Sequence, residues 1–150
     1  MHAVELTRRR GTRPGPAALD LVAQSRRGLL EADMMTQPGE RYAAAHLAAL
    51  RAAAAVLAAR ARPAGTRPGR ARRPASAWAL LTEVAPELAE WSAFFAAGAG
   101  KRAAAEAGLS RAVTAREADD LRRDAETFLA VVETTLGLTH QAVLTAAGSS

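Results

Sequence analysis

Hydrophobic positions along this chain recur at steps of three and four residues, the spacing of one face of an α-helix. The first such segment follows Pro16 and runs from Ala17 to Met35, and residues 36–39 end it. Its larger apolar residues are Leu19, Val22, Leu29, Leu30 and Met34. No segment alternates with a period of two, and β-branched residues are few, so the pattern predicts an all-α protein without strands.

A second helix is predicted from about Pro38 to Ala61. Tyr42, His46, Leu50 and Leu57 lie on one stripe of this helix. Alanine fills most of the other positions. Because alanine is the best helix former and has a small side chain, this helix is expected to let its neighbours approach closely.

The third helical region begins at Ser76, a suitable N-cap residue. Pro86 interrupts the region, since it disfavours helical geometry at Ala85 and can begin a new helix. The region is expected to end at Ala107 and Gly108. Its apolar stripe comprises Trp78, Leu81, Val84, Leu88, Trp91 and Phe95.

The last helix carries the clearest local signals. Thr114 and Glu117 have the spacing of a capping box, and Gly137 is expected to end the helix. Its apolar face comprises Ala118, Leu121, Ala125, Phe128, Val132 and Leu136. On the opposite face, i,i+4 ion pairs are predicted for Arg116 with Asp120, Asp119 with Arg123, and Arg122 with Glu126.

These elements predict an up-and-down bundle of four to five helices over residues 16–137. Residues 1–15 are predicted to be a flexible basic tail, and residues 138–150 a frayed C-terminal tail. Residues 62–75 contain three prolines, two glycines and five arginines, which predicts an arginine-rich loop between two helical hairpins. The predicted core includes Trp78, Leu81, Leu88, Trp91, Leu121 and Phe128.

Charge is distributed unevenly along the 150 residues. Residues 1–75 carry 14 basic and 5 acidic side chains, whereas residues 76–150 carry 6 basic and 10 acidic ones. This asymmetry points either to an anionic ligand or to attraction between the two halves of the fold. Six arginines around the loop are candidate phosphate-binding residues: Arg60, Arg62, Arg67, Arg70, Arg72 and Arg73. Because no aromatic residues lie among them, they are expected to contact phosphates without stacking on bases.

Several classes of protein are not expected from this composition. The chain has no cysteine, which excludes disulfides and thiolate zinc sites and fits a reducing compartment. No glycine-rich phosphate loop or metal-ligand motif is visible, so neither a metal nor a cofactor is predicted. The N-terminus lacks the long apolar run of a signal peptide, and His46 and Arg51 interrupt the most apolar stretch. We therefore expect a soluble, cytoplasmic protein without a membrane partner.

Arg41 and His46 are the candidate catalytic pair. An imidazole can act as a general acid or base near neutral pH, and a guanidinium can hold a phosphate with two hydrogen bonds. Together they could support RNA cleavage without a metal, in which a 2′-hydroxyl attacks the adjacent phosphate. The competing interpretation is that His46 is a packed core residue, since it lies one turn from both Tyr42 and Leu50.

The helical runs ERYAAAHLAALRAAAAVLAARAR, SAWALLTEVAPELAEWSAFFAAGAGKRAAAEAG and TAREADDLRRDAETFL resemble a small actinobacterial family of HEPN proteins. The resemblance covers roughly Leu19 to Leu136. It implies a bundle of four or five antiparallel helices that often dimerises. Many HEPN proteins are metal-independent ribonucleases of toxin–antitoxin and defence systems, with an arginine and a histidine spaced as Arg41 and His46 are.

Two functions follow from the resemblance. The first is a HEPN module that binds RNA or nucleotide, including the case of a metal-independent endoribonuclease. The second is a non-catalytic helical module for dimerisation or protein interaction. The expected partners are RNA or a nucleotide, a second copy of the chain, and an antitoxin or nucleotidyltransferase protein.

Overall fold

The computed structural model describes residues 13–60, 76–109 and 111–138, and within these ranges every regular element is helical. Two long helices come first, and a third long helix ends the described chain. Between them lie three short helices and a 3₁₀ turn. The helices are α1 (Pro16–Met34), α2 (Pro38–Arg60), α3 (Ala77–Val84), α4 (Ala89–Ala97), α5 (Ala99–Glu106) and α6 (Ala115–Thr135), with the 3₁₀ turn at Pro86–Leu88. The all-α helical bundle predicted from the sequence is confirmed.

Helix α2 lies at the centre of the bundle, where it contacts α1, α3, α5 and α6. Its small side chains permit this, because six of its nine buried residues are alanines. At the contact with α1, a Cβ placed on Gly28 would lie 3.2 Å from the Cβ of Ala48. The Ser25 hydroxyl donates a 2.7 Å hydrogen bond to the Ala48 carbonyl oxygen across the same contact. Small residues therefore bring the two backbones close together.

Aromatic rings fill the space between α2, α3, α4 and α6. The Phe95 ring stacks on Trp78 with centroids 5.1 Å apart and lies 5.2 Å from Phe128. Five of the six residues predicted as core are buried, and Trp91 is half-buried, packing against Phe95 and Phe128. The aromatic cluster therefore joins α6 to the neighbouring helices α3 and α4.

The helix ends follow the local sequence signals. The Ser76 hydroxyl accepts a hydrogen bond from the Ala79 amide. Thr114 and Glu117 form the predicted capping box. The chain leaves helical geometry at Ala85, immediately before the 3₁₀ turn. At the end of α6, Gly137 adopts a φ of 76°, a left-handed conformation that favours glycine. These boundaries are confirmed as predicted.

The apolar residues of α1 do not all lie on the single buried stripe that its sequence suggests. Val22 and Leu29 are buried against α2, but three of the larger apolar residues point outward. Leu19 is 44% exposed, Leu30 64% and Met34 81%. Helix α1 therefore has two apolar faces, of which α2 and α6 cover one.

Helix α2 is long and apolar enough to cross a membrane by length and composition alone. Half of its most apolar window is buried within the bundle. The core helix of a soluble protein passes the same test, so this observation is weak evidence for a membrane span.

The domain boundaries predicted at residues 16 and 137 stay predictions, because most of both predicted tails lies outside the described residues. Two described residues just beyond these boundaries contact the bundle. Pro14 is buried, and Leu138 packs against the hydrophobic core.

Candidate functional site

His46 lies inside the bundle with no exposed surface. Its ring contacts Trp78 and Phe95 edge-on, with centroid distances of 6.0 and 5.9 Å. Its Nε2 lies 3.0 Å from the carbonyl oxygen of Phe95. Because a carbonyl oxygen only accepts hydrogen bonds, Nε2 is the protonated nitrogen of the neutral ring. Nδ1 is buried and has no hydrogen-bond partner among the described residues.

Burial lowers the pKa of His46 below its ordinary value, because the apolar surroundings disfavour the charged imidazolium. The hydrogen bond to the Phe95 carbonyl acts in the opposite direction. Arg102 on α5 lowers the pKa further, and Glu106 raises it. His46 is therefore neutral at physiological pH.

Arg41, in the first turns of α2, contacts the end of α1 and the start of α6. Its Nη2 donates to the Met35 carbonyl oxygen at 2.9 Å, and its Nε donates to the Ala32 carbonyl oxygen at 3.3 Å. Its Nη1 pairs with the carboxylate of Asp119. The guanidinium thus caps the C-terminal end of α1 and connects it to α6.

The structure gives Arg41 and His46 separate sets of partners. Arg41 interacts with α1 and α6, whereas His46 interacts with Trp78 and Phe95 of α3 and α4. The assignment of the two as catalytic residues stays a prediction. It requires a state of the molecule in which the imidazole of His46 reaches solvent.

Between these two residues, Tyr42 packs against the junction of α4 and α5. A Cβ placed on Gly98 would lie 2.9 Å from the Tyr42 hydroxyl oxygen and 3.8 Å from Cδ2 of His46. Burial raises the pKa of Tyr42; Lys101 lowers this pKa and Glu117 raises it. Lys101 and Glu117 form an ion pair that connects α5 to the first turn of α6. Tyr42 is therefore enclosed by a glycine and an ion pair.

We expect Gly98→Ala to destabilise the protein, because the new methyl group would overlap the Tyr42 hydroxyl. The expected loss is about 1–3 kcal/mol, the usual cost of overpacking. Thermal or urea unfolding measures this effect. Gly100→Ala is the matched control, since nothing lies within 4 Å of a Cβ at that position and alanine favours the helix. Adding Tyr42→Phe to Gly98→Ala should restore part of the loss, and no restoration would contradict the proposed overlap.

Of the six candidate phosphate-binding arginines, only Arg60 lies among the described residues. Its Nη2 donates to Glu87 at 2.7 Å, and its Nη1 donates to the Val84 carbonyl oxygen at 3.2 Å. The Arg60 hydrogen bond is the main reason that the pKa of Glu87 is lowered. Arg60 thus joins the ends of α2 and α3. The other five, Arg62, Arg67, Arg70, Arg72 and Arg73, lie outside the described residues.

If single-stranded RNA binds this chain, its affinity should fall steeply as the salt concentration rises. The reason is that each phosphate neutralised by an arginine releases counterions. Replacing Arg67, Arg70, Arg72 and Arg73 with serine should then flatten the slope of log affinity against log salt by about 0.7 for each phosphate that is no longer neutralised. Fluorescence anisotropy over a salt series measures the slope. A slope that the four substitutions leave unchanged would assign phosphate binding to other residues.

Within the described ranges, no group of three or more histidine, aspartate or glutamate side chains is placed to hold a metal ion. Most carboxylates of α6 are instead engaged with basic side chains. Asp119 pairs with Arg41, and Arg123 pairs with Asp120, so the predicted pair of Asp119 with Arg123 is wrong. The guanidinium of Arg122 binds both Glu126, as predicted, and Asp33 of α1.

Sequence reasoning misses two residues that shape this region. In the sequence, Gly98 is only a residue that weakens a helix. No local signal shows that the Tyr42 hydroxyl occupies the space that a side chain at position 98 would fill. Asp119 lies 78 positions from Arg41, so helical spacing could not reveal their contact. Both contacts depend on how the helices pack.

Comparisons with known proteins identify the family. A family model described as HEPN-like matches residues 32–133, which comprise the end of α1 and all of α2 to α5, together with most of α6. No curated protein and no solved structure matches this chain significantly. Because the matched region covers more than half of the chain and corresponds to the helical bundle, this protein belongs to the HEPN-like family.

Proposed function

We propose that this protein is a non-catalytic HEPN module that acts by binding other proteins. The observation that carries the proposal is the position of His46, which has no exposed surface and uses Nε2 to bind the Phe95 carbonyl oxygen. A general acid or base must reach the proton that it transfers, directly or through one water molecule. A histidine enclosed by Trp78 and Phe95 does not meet that condition.

The contacts of Arg41 support the same proposal. Its side chain is 28% exposed, and its guanidinium binds two carbonyl oxygens and one carboxylate. Binding an RNA phosphate would require Arg41 to give up these contacts. Arg41 and His46 are thus both explained by the packing of α1, α4 and α6 around α2.

A nuclease assay in EDTA tests the proposal. We expect no cleavage of single-stranded RNA by the wild-type chain above the level of a mock preparation. We expect His46→Ala to lower the urea midpoint instead, because the substitution leaves a cavity among aromatic rings. Arg41→Ala should also lower the midpoint, whereas the matched control Arg51→Ala should have little effect. Arg51 lies on the same helix and makes no ion pair within the described residues.

The competing function is a metal-independent endoribonuclease. Two observations favour it: the spacing of Arg41 and His46, and the buried Nδ1 of His46 without a partner in the described part of the chain. In that function, His46 would move a proton of the 2′-hydroxyl or leaving group, and Arg41 would stabilise the phosphate. The α4–α5 junction at Gly98 would have to move away first. Cleavage in EDTA that Arg41→Ala and His46→Ala both abolish, with folding retained, would establish this function and overturn our proposal.

We also propose where this protein acts and which partners it binds. A cysteine-free bundle fits the cytoplasm, and the partners we expect are a second copy of the chain and an antitoxin or nucleotidyltransferase protein. Each expectation follows from the family resemblance and the composition. Size-exclusion chromatography with light scattering tests the dimer.

A further inference from the structure

Helix α5 is attached to the bundle by little apolar surface. Within the described ranges, it is the only α-helix that contains no buried residue. Its contact with the hydrophobic core is made by Ala105, which lies against the first turn of α2. A Cβ placed on Gly39 of α2 would lie 3.6 Å from the Cβ of Ala105. Because a methyl group removes little apolar surface from water, hydrophobic burial holds α5 in place only weakly.

One ion pair connects α5 to α6. The Nζ of Lys101 lies 2.5 Å from Oε2 of Glu117, and the two side chains are 38% and 41% exposed. Within the described part of the chain, no other ion pair or side-chain hydrogen bond joins α5 to another helix. Arg102 and Glu106 pair with each other inside α5. Ion pairs with this exposure to water stabilise a contact only modestly, so α5 is held by a weak polar contact as well.

Glycines lie at both ends of α5. Gly98 is the single residue between α4 and α5. Gly108 follows the end of α5 and has a φ of 83°, in the left-handed region that favours glycine. Because glycine has no Cβ, its backbone torsions can change with little steric cost. Gly98 and Gly108 are therefore suited to act as hinges, about which α5 can move while α4 and α6 keep their packing.

The junction of α4 and α5 covers the two polar residues among the buried residues of α2, Tyr42 and His46. Tyr42 is 6% exposed, and His46 has no exposed surface. A Cβ placed on Gly98 would lie 2.9 Å from the Tyr42 hydroxyl oxygen and 3.8 Å from Cδ2 of His46. Displacement of α5 together with Gly98 would therefore expose the Tyr42 side chain and the Cδ2 edge of His46.

We infer that α5 is a lid that opens about Gly98 and Gly108 and gives solvent access to Tyr42 and His46. The structure holds the closed state of this lid, and the ion pair of Lys101 with Glu117 keeps it closed. The long helices stay packed while the lid moves, since local opening requires little free energy where few apolar contacts are lost. This inference goes beyond the proposed function, because it concerns which residues reach solvent and not what the protein binds.

Hydrogen exchange followed by mass spectrometry tests whether α5 opens separately from the rest of the bundle. We expect the amides of α5 to exchange faster than those of α6. We also expect urea below the unfolding transition to have little effect on exchange in α5, because local opening exposes little surface. Exchange in α5 at the rate of α6, with the same dependence on urea, would overturn the inference, since α5 would then open only when the whole bundle unfolds.

Tyr42 is the only tyrosine in the chain, so its nitration by tetranitromethane reports the exposure of this one residue. Glu117→Gln should speed nitration about two- to fivefold, the range expected for the loss of an exposed ion pair. Glutamine retains the capping box, because its Oε1 can still accept the hydrogen bond of the Thr114 amide. Lys101→Met breaks the same ion pair and should speed nitration to a similar extent.

The two substitutions control for each other, because they change the charge near Tyr42 in opposite directions. Lys101 lowers the pKa of Tyr42, whereas Glu117 raises this pKa. A direct effect of charge on the phenol would therefore speed nitration in one variant and slow it in the other. That result would overturn the inference, whereas faster nitration in both variants supports a lid that the ion pair keeps closed.

A disulfide between α5 and α2 provides a locked form of the lid. The Cβ separation of 3.6 Å at positions 39 and 105 lies within the range of about 3.5–4.5 Å found in disulfides. Because the chain has no cysteine, Gly39→Cys with Ala105→Cys can form only this intramolecular bond. The matched control is Gly39→Ser with Ala105→Ser, and circular dichroism checks that both proteins are folded.

The oxidised cysteine variant should show nitration of Tyr42 at least about tenfold slower than the serine variant, because the cross-link removes the open state. Exchange of the α5 amides should slow as well. Equal nitration rates in the locked and control proteins would overturn the inference, because reagents would then reach Tyr42 without any movement of α5.

Discussion

Replacing Phe95 with alanine is expected to lower the free energy of unfolding by about 3–5 kcal/mol, the usual cost of removing a buried phenylalanine ring. Phe95 has no exposed surface. Its ring contacts those of Trp78 and Phe128, with centroids 5.1 and 5.2 Å away. Removing the ring would leave a cavity between α3, α4 and α6 that these large neighbours cannot easily fill. Urea unfolding followed by circular dichroism measures the effect.

The adjacent Phe94 supplies the matched control. It lies on the same helix and has the same side chain, but it is 47% exposed. Because its ring already contacts water, Phe94→Ala should cost much less, about 1 kcal/mol or below. Equal losses for the two substitutions would contradict the orientation of α4, in which Phe95 faces the bundle and Phe94 faces water.

Acidification is expected to destabilise the wild-type protein through His46. Because the pKa of His46 is lowered in the folded state, the unfolded chain binds a proton at a higher pH than the folded chain does. The contribution of His46 is therefore fully present above the unfolded pKa of about 6.5 and decreases as the pH falls toward the folded pKa. In that window, the free energy of unfolding should fall by up to about 1.4 kcal/mol per pH unit.

His46→Gln is the control for this prediction. Glutamine does not titrate, and its amide can donate a hydrogen bond to the Phe95 carbonyl oxygen in place of Nε2. Carboxylates and the other histidines contribute equally to both proteins, so the difference between the two stability curves isolates His46. We expect that difference to shrink as the pH falls from about 7 to about 5, the range around the unfolded pKa. Parallel curves would indicate that His46 reaches solvent in the folded protein, which would favour the catalytic hypothesis.

Signals within a few residues determined the helices of this protein and their ends. The Ser76 cap, the capping box of Thr114 and Glu117, and the break at Pro86 all appear as predicted, because each depends on atoms within one helical turn. The burial of five predicted core residues also followed from periodicity, since they recur at steps of three and four along the chain. The all-α fold and the resemblance to the HEPN-like family were likewise visible in the sequence.

Tertiary packing alone decided the rest. In α1, apolar residues cover most of the circumference, so periodicity could not show that Val22 and Leu29 face α2 while Leu30 and Met34 face water. Asp119 pairs with Arg41 rather than Arg123 because α6 passes the start of α2, a contact between residues 78 positions apart. The environment of His46 depends on the Phe95 carbonyl oxygen, 49 positions away. The spacing of Arg41 and His46 on one helix can identify them as a candidate catalytic pair. Whether either side chain can contact a substrate depends on the helices that pack around it.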